Sequence, residues 1–335
     1  MADMLKIFLT FCLVAAAATT AVSAQEQNLF GKIKLRADKL FDIVDSWGSY
    51  DTLHLEKLPH KLRLSASIIG TGTDLTINGI NNSNSYKAEL NADDKYTLNV
   101  SAQYRILSVS LSINPAKLFG KYKDFEIAFN AYGNRFGGDI VYQTANTFTG
   151  NVASNDVYQQ INEGIAKQNL LILNGYWAVN GKKFSYPAAL CQSWKQTKSC
   201  GSVMVGVSLL YQDLSIASGD TKMMSDMDVE TCCVSIGCGY GYNFALRKNW
   251  LLHVSSLPEI VIFERKHTVI NGARSRQSSD FPDTIVVGRL GACKSFSRYF
   301  AGMNAIVNVT SIGNDDELEI NNVKWQAKFF VGIQL

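Results

Sequence analysis

The C-terminal segment Val323–Leu335 limits the fold more than any other part of the chain. Its odd positions are all apolar, and its even positions carry lysine, glutamine or glycine, apart from Phe330. Successive side chains of a β-strand point to opposite faces, so this alternation predicts a strand with one apolar and one polar face. The length suits a tilted strand that crosses a bilayer, which needs about 9–11 residues. We interpret the segment as the closing strand of a transmembrane antiparallel β-barrel.

The same period-two alternation recurs along the chain. It is clear in segments that begin at Leu62, Tyr96, Leu107, Phe125, Val203, Val234, Trp250 and Tyr299. The connections between such segments alternate in length; Thr310–Asn321, for example, is long and Lys294–Arg298 is short. Because bacterial barrels have short periplasmic turns and longer outer loops, the pattern favours an all-β barrel of about 12 strands (10–14) over residues 62–335.

The strand number depends on the interpretation of Asn146–Lys183. If this stretch is one large outer loop, the count is about twelve, an even number as bacterial barrels require. The apolar piece Leu170–Val179 then lies inside the loop. If that piece is a strand, Asn180–Lys183 becomes a turn and the count moves to about fourteen. We prefer the loop.

Two local breaks in the alternation carry predictions of their own. After Arg105 the phase slips by one residue before it resumes at Leu107. Such a slip is typical of a β-bulge inside one long strand. The polar stretch Asn91–Asp94 is predicted to be a short turn between two strands.

Composition supports the membrane interpretation. Hydrophobic residues make up 47% of the chain and charged residues only 18%, against about 25% charged in ordinary soluble domains. Beyond the N-terminus no apolar run is long enough for a helical span. The alternative is a soluble β-sandwich or lipocalin-like barrel, but strand length and 11% aromatic residues favour an outward apolar face. The net charge of +3 is too small to indicate nucleic-acid binding.

The N-terminus resembles an export signal. Lys6 supplies a positive charge, Ile7–Ala18 is a short apolar core, and Val22–Ala24 is a cleavage site of small residues. We therefore predict a cleaved signal peptide over residues 1–24 and an outer-membrane location. Residues 25–61 are predicted to form a short periplasmic helix and a lead-in segment. The six cysteines that follow the signal peptide leave disulfide pairing open.

A set of short motifs resembles a known family. The motifs are Phe184–Ala189, Gln192, Lys195–Gln196, Lys198–Ser199, Gly201–Ser202, Gly239–Asn243 and Lys248–Trp250. Together they resemble the domain of unknown function 4421 family, and the resemblance implies an exported outer-membrane barrel of Gram-negative bacteria. It implies no activity, because none is established for the family. One departure is the last residue, Leu335, where many such barrels end in phenylalanine.

Polar residues on the inward phase of the strands are candidates for the lumen. These residues are Asn99, Gln103, His253, Ser255, Glu259, Lys324, Gln326 and Lys328. Barrels of about eight strands are filled by side chains, whereas barrels of about 16–18 strands leave an aqueous channel. A barrel of about twelve strands lies between these sizes, so a narrow channel for small solutes is the first functional hypothesis. The alternative is a recognition or structural barrel that acts through its outer loops. We predict no catalytic residue, cofactor or metal.

His253 and Ser255 also suggest a third, weaker hypothesis. Their spacing resembles that of outer-membrane phospholipases, in which a histidine activates a nearby serine. In those enzymes the pair faces the lipid, whereas here Trp250, Leu252 and Val254 take the outward phase. No orienting acid or amide is evident, so a polar pair that lines the lumen is the preferred interpretation.

The expected partners follow from the membrane location. They are outer-membrane lipid, lipopolysaccharide and the barrel-assembly machinery, with a small solute or glycan as a further candidate. The basic stretch Glu264–Asp283 is a candidate contact for lipopolysaccharide phosphates.

Overall fold

The structure is a computed structural model that describes residues 49–59, 62–81, 84–104, 107–113, 124–154, 157–217, 226–275, 282–314 and 318–335. The predicted signal peptide and the predicted periplasmic helix lie outside these ranges. Within them, no helix has the length and apolar character needed to cross a membrane. All six cysteines in these ranges are free thiols.

Strands dominate the described chain. They are β1 (Leu55–Lys57), β2 (Leu62–Asn81), β3 (Asn84–Asn91), β4 (Lys95–Tyr104), β5 (Leu107–Ile113), β6 (Phe125–Tyr132), β7 (Phe136–Ala145), β8 (Thr149–Ser154), β9 (Val157–Ile161), β10 (Ala166–Ala178), β11 (Trp194–Gln196), β12 (Cys200–Ile216), β13 (Met227–Leu246), β14 (Trp250–Ile270), β15 (Ala273–Ser275), β16 (Thr284–Phe296), β17 (Tyr299–Asn314) and β18 (Leu318–Gln334). One short helix, α1 (Tyr186–Leu190), lies between β10 and β11.

The main sheet is antiparallel and closes into a ring. Its neighbours run from β7 through β10, β12, β13, β14, β16, β17 and β18 to β2. β2 pairs with β3 near one end and with β4 near the other. β3 pairs with β8, and only Asn146–Phe148 separate β8 from β7. The predicted antiparallel β-barrel is therefore confirmed.

Most of the barrel is apolar on the outside and polar within. On β12, Val203 and Val207 are about half exposed, whereas Ser202 and Ser208 are buried. On β18, Phe329 is 60% exposed and Lys324 is buried. A continuous outward apolar band is the surface that a barrel presents to hydrocarbon. The apolar faces thus point outward, as the alternation predicts, and we call this band the belt.

The two ends of the barrel differ. At the terminus end, the amide N–H of Leu335 donates to the carbonyl of Leu62 at 2.8 Å. At the other end, which we call the hairpin end, the strands continue past the belt. There the outward side chains are polar and the inward side chains are apolar. On β12 the outward residues there are Asp213 and Ser215, whereas Leu214 and Ile216 are buried. The interior of the hairpin end is thus an apolar core.

The hairpin-end core is formed by inward side chains of the wall strands and their connections. Its buried members are Leu75, Ile77, Tyr86, Ala88, Leu90, Ala92, Ala145, Phe148, Val152, Ile161, Ala166, Leu214, Ile216, Met227, Val229, Leu318 and Ile320. No lumen remains where these side chains meet, because close-packed cores leave few voids larger than a water molecule.

The structure corrects the interpretation of Asn146–Lys183 as one outer loop. Most of Leu170–Val179 lies in β10, which pairs with β7 on one edge and β12 on the other. Its inward residues Leu170 and Ile172 are buried, and they fill the interior. A strand with partners on both sides belongs to the wall, so the sequence interpretation was wrong here.

Both predicted breaks in the alternation were also wrong. Tyr104 pairs with Leu107, so the phase slip after Arg105 marks a hairpin between two strands and not a bulge. Conversely, Asn91 pairs with Asp74 and Lys95 pairs with Thr71 on the same strand, β2. β3 and β4 therefore run in the same direction along β2, and the stretch between Asn91 and Lys95 is a break between them and not a reverse turn.

Candidate functional site: the plugged lumen and its side chamber

The segment Phe184–Gln196, which we call the plug, folds into the terminus end of the barrel. Within the plug, Ser185 Oγ accepts the N–H of Ala188 at 3.1 Å and so caps α1. All five residues of α1 are buried. A helix of one turn has little intrinsic stability, so packing against the barrel holds it in place.

Side chains from three different wall strands bind the plug. Asn243 of β13 donates to the carbonyl of Ser185 at 2.8 Å. Asn304 of β17 donates to the carbonyl of Leu190 at 3.1 Å. Arg63 of β2 donates to the carbonyl of Gln192 at 3.0 Å. Because these strands lie on different sides of the ring, the plug occupies the lumen.

An aromatic cluster fills the space beside the plug. The rings of Tyr176 and Tyr186 meet edge to face with centroids 4.6 Å apart, and Phe184 lies 5.3 Å from Tyr186 in a similar arrangement. The guanidinium of Arg289 lies 5.7 Å from the Tyr186 centroid. Aromatic and cation–π contacts of this kind add to the burial that stabilises the plug.

His253 and Ser255 are both buried, and they belong to the contacts of the plug. His253 Nδ1 lies 2.7 Å from Asn243 Oδ1, and its Nε2 lies 3.0 Å from Ser255 Oγ. The amide oxygen can only accept, so Nδ1 carries the proton and Nε2 accepts from the serine. Ser255 Oγ in turn accepts the O–H of Tyr186 at 2.9 Å. The chain of bonds thus runs from the wall to α1.

Asn243 is an orienting amide for His253 that the local sequence pattern does not reveal, so the expectation that no such amide is present is wrong. Asn243 pairs with His253 across β13 and β14, ten positions away in the chain. Only the strand register brings the two together. An amide, imidazole and hydroxyl in this order can activate a serine, but here Tyr186 covers the hydroxyl. The arrangement anchors the plug.

Polar contacts cross the middle of the lumen between opposite walls. Arg289 of β16 forms a buried ion pair with Asp139 of β7. Lys324 of β18 contacts Glu126 of β6 at 2.6 Å. Among the other lumen candidates, Glu259 is buried and accepts the hydroxyl of Ser235, on the neighbouring strand β13, at 2.6 Å. These contacts fill the centre of the barrel, so the described residues leave no straight channel along its axis.

A cavity of about 590 Å³ lies inside the wall, and we call it the side chamber. It lies between inward faces of β2, β4, β6, β17 and β18, and part of the plug forms its floor. Three predicted lumen residues, Asn99, Gln326 and Lys328, line it. The side chain of Gln103 lies outside the described set. The structure therefore divides the sequence candidates among the plug contacts, the cross-lumen contacts and the chamber.

The comparison with protein families identifies the chain. The family model described as Domain of unknown function (DUF4421) matches residues 49–334, and the chain belongs to this family. The resemblance found in the sequence motifs is thereby confirmed. The motifs from Phe184 to Gln196 are those of the plug, so the plug is part of the matched region. No curated protein matches the chain significantly.

Solved structures that resemble the chain include three bacterial outer-membrane proteins or domains. OprG from Pseudomonas aeruginosa is 10% identical, with 86% of this chain and 99% of that chain covered and a TM-score of 0.29. The translocator domain of the autotransporter NalP from Neisseria meningitidis is 13% identical, with 94% and 100% covered and a TM-score of 0.33. A loop-deletion mutant of OmpT from Vibrio cholerae is 8% identical, with 80% and 98% covered and a TM-score of 0.26.

The chain is an outer-membrane β-barrel protein, as the distribution of apolar side chains on its surface indicates. Outward apolar side chains form a belt around a closed ring of antiparallel strands. Many inward side chains along the same strands are polar, such as Ser208, Arg289 and Lys324, and they pair with other residues in the interior. In water such a belt would be an aggregation surface, whereas hydrocarbon solvates it.

Proposed function

We propose that this member of the DUF4421 family is a gated barrel that passes a small solute along its axis only when its plug moves. The plug is the observation that carries the proposal. It closes the terminus end, which we assign to the periplasm because its turns, such as Gly133–Arg135 and Arg247–Asn249, are short. The side chamber next to it is the space in which a solute would be held.

The way in which the plug is attached supports movement. Its one strand, β11, pairs with β1 and with no wall strand among those described. Side-chain hydrogen bonds and packing hold the rest of the plug against the wall. A single hydrogen bond contributes about 0.5–1.5 kcal/mol, so the plug can leave without unzipping a ladder of the barrel.

The N-terminal lead-in is joined to the plug and supplies a handle for that movement. Besides the pairing of β1 with β11, the N–H of Thr197 donates to the carbonyl of His54 at 2.8 Å, and the N–H of Asp51 donates to the carbonyl of Lys182 at 2.8 Å. A periplasmic force or partner that displaces residues 49–57 would pull on the plug directly.

Planar-bilayer recordings test this proposal. The purified full-length chain is expected to conduct little. The double variant Tyr186→Ala with Asn243→Ala removes two anchors of the plug and is expected to show discrete openings. Val203→Ala on the belt is the matched control and should behave like the unmodified chain. A sealed bilayer with a correctly folded double variant would contradict gating by the plug.

A second candidate is a recognition barrel, and the hairpin end favours it. There an apolar core stiffens strands whose outer faces carry basic as well as acidic groups, including Lys167, Arg265 and Glu230. Such a platform suits a glycan or lipopolysaccharide partner. Binding of purified lipopolysaccharide that is lost in a variant with a shortened 271–283 connection, together with no conductance in any plug variant, would favour recognition over transport.

A further inference from the structure

One part of the barrel wall lacks a hydrogen-bonded ladder in the residues that the structure describes. Among the described strands, β6 pairs only with β7, and β5 pairs only with β4. Yet β5 and β6 follow each other in the chain and border the same gap in the ring. The pairing of β3 with β8 closes the wall on the hairpin-end side of this gap. We call the space between β5 and β6 the seam.

The side chamber reaches both faces of the wall at the seam. On its inner side it is lined by Glu126 and Ala128 of β6. It is also lined by Phe125, Ile127 and Phe129, which point outward and are between 40% and 62% exposed. One cavity that touches both faces of a strand passes around the edge of that strand. Within the described part of the chain, the chamber therefore opens toward the lipid.

The unpaired backbone of the strand edge at the seam needs a polar environment. The N–H and C=O groups of an unpaired strand edge are too costly to leave in hydrocarbon, and they are tolerated where they line a cavity. The edge of β6 meets this condition because the chamber borders it. The seam thus combines polar backbone and the chamber on one side with an apolar belt on the other.

The charged residues around the chamber indicate which charge a molecule bound there would carry. Lys95 contacts Asp124 at 3.2 Å, and Lys324 contacts Glu126 at 2.6 Å. Lys328, which also lines the chamber, has no acidic partner among the described residues. A shielded ammonium without a counter-charge is unfavourable, so an anionic group in the chamber would be stabilised by Lys328.

We propose that the chamber binds a single-chain anionic amphiphile. Its acidic head group contacts Lys328, and its acyl chain passes through the seam over Phe125, Ile127 and Phe129 into the membrane. This inference rests on the proposed function, since it names the class of solute that the gated barrel handles. It adds a sideways route between chamber and lipid that does not require the plug to move.

Photo-crosslinking in nanodiscs of neutral phosphatidylcholine tests the inference on the full-length chain. The probe is a fatty acid that carries a diazirine in its acyl chain, with crosslinks mapped by mass spectrometry. Crosslinks are expected on Phe125–Asn130. Excess laurate should suppress them, whereas excess dodecanol, which has the same chain without the charge, should not.

Two variants separate the chamber from ordinary lipid contact. Lys328→Gln should lower laurate-sensitive crosslinking about tenfold, the usual effect of one lost hydrogen bond to a charged group. Ala128→Trp should lower it by filling the chamber without a change of charge. Lys167→Gln, at an exposed position on β10, is the matched control and should have no effect. Heat-modifiable mobility on gels checks that each variant is folded.

The outcomes are distinct. Equal labelling of Lys328→Gln and the unmodified chain, or equal competition by dodecanol, would overturn the inference. Competition by lauroyl lysophosphatidate that is stronger than competition by laurate would identify a lysophospholipid as the source of the anion, and the reverse a free fatty acid. Openings of the plug variant in planar bilayers without laurate-sensitive labelling would leave the gated barrel standing and remove the seam route.

Discussion

The hairpin end and the terminus end of this barrel are closed in different ways. At the hairpin end the wall strands supply their own inward apolar side chains, such as Leu214 and Ile320, and these pack directly against one another. At the terminus end the wall turns both polar and apolar side chains inward, and a separate segment, the plug, packs among them and fills the space. The first closure is part of the wall, whereas the second is attached to it by side-chain contacts.

The difference predicts which substitutions damage the barrel and which only loosen the plug. Wall contacts should set the free energy of unfolding. Plug contacts should set local opening, because subglobal motions cost less than global unfolding.

The largest effect is expected at the buried ion pair between Arg289 and Asp139. Arg289→Met leaves a buried carboxylate without its partner and should lower the free energy of unfolding by about 3–5 kcal/mol. Urea unfolding in lipid vesicles measures it. The double variant Arg289→Met with Asp139→Leu should recover most of the loss, and Arg298→Met at an exposed turn is the control. No recovery in the double variant would contradict the assignment of the loss to an uncompensated charge.

A somewhat smaller loss is expected in the hairpin-end core. Leu214→Ala leaves a cavity in close-packed surroundings and should cost about 3 kcal/mol. Leu209→Ala lies on the belt of the same strand, where lipid can fill the vacated space, and should cost clearly less. Equal losses at the two positions in the same unfolding experiment would show that the hairpin end is not a packed core.

Plug contacts should have a smaller effect that stays local. Tyr186→Phe removes the O–H that donates to Ser255 at 2.9 Å. Hydrogen exchange of peptides from Phe184–Gln196 should then become about fivefold faster, as expected for one hydrogen bond of about 1 kcal/mol, while wall peptides stay unchanged. Tyr158→Phe at an exposed site is the control. Faster exchange throughout the wall would show that plug and wall unfold together.

The smallest effect is a pH dependence in the lead-in segment. The N–H of Leu53 donates to Asp51 at 2.9 Å and, as the largest cause, lowers the pKa of the Asp51 carboxyl below its ordinary value of 3.8. Because the pKa of Asp51 is lowered on docking, its carboxylate stabilises the docked segment at pH values above 3.8. This contribution is lost as the pH falls through the lowered pKa. Hydrogen exchange of residues 50–57, corrected for the intrinsic pH dependence of exchange, should therefore show less protection below about pH 3.8 than at pH 7, and Asp51→Asn should remove the difference. The same loss of protection at low pH in Asp51→Asn would refute this.

The sequence predicts the wall well and the interior poorly. The reason is that the wall follows from local patterns in the chain, whereas the interior depends on contacts between distant positions. Alternation is a local property, so the outward face of Val203 or Phe329 follows from the nearest neighbours in the chain. The turn at Tyr104–Leu107 was missed because a tight hairpin and a bulge both shift the phase by one residue. β10 was missed as a wall strand because a single apolar piece after a long polar stretch carries no information about its partners.

The candidate site shows the same limit. His253 and Ser255 could be placed inside the barrel from their phase on one strand. Their real partners, Asn243 and Tyr186, come from a neighbouring strand and from the plug, so only the register and the folded loop bring them together. Phe184–Ala189 was recognised as a family motif, but nothing local in it indicates that it enters the lumen.

A nitroxide scan along β12 tests the central claim most directly. Spin labels placed one at a time from Ser202 to Tyr211, in a background without the native cysteines and reconstituted in lipid, report contact with oxygen in hydrocarbon and with a nickel chelate in water. Odd positions such as Val203 and Val207 should show high oxygen contact, and even positions should be shielded from both reagents by the filled interior. High nickel contact at the odd positions would mean that the belt faces water and would contradict the account.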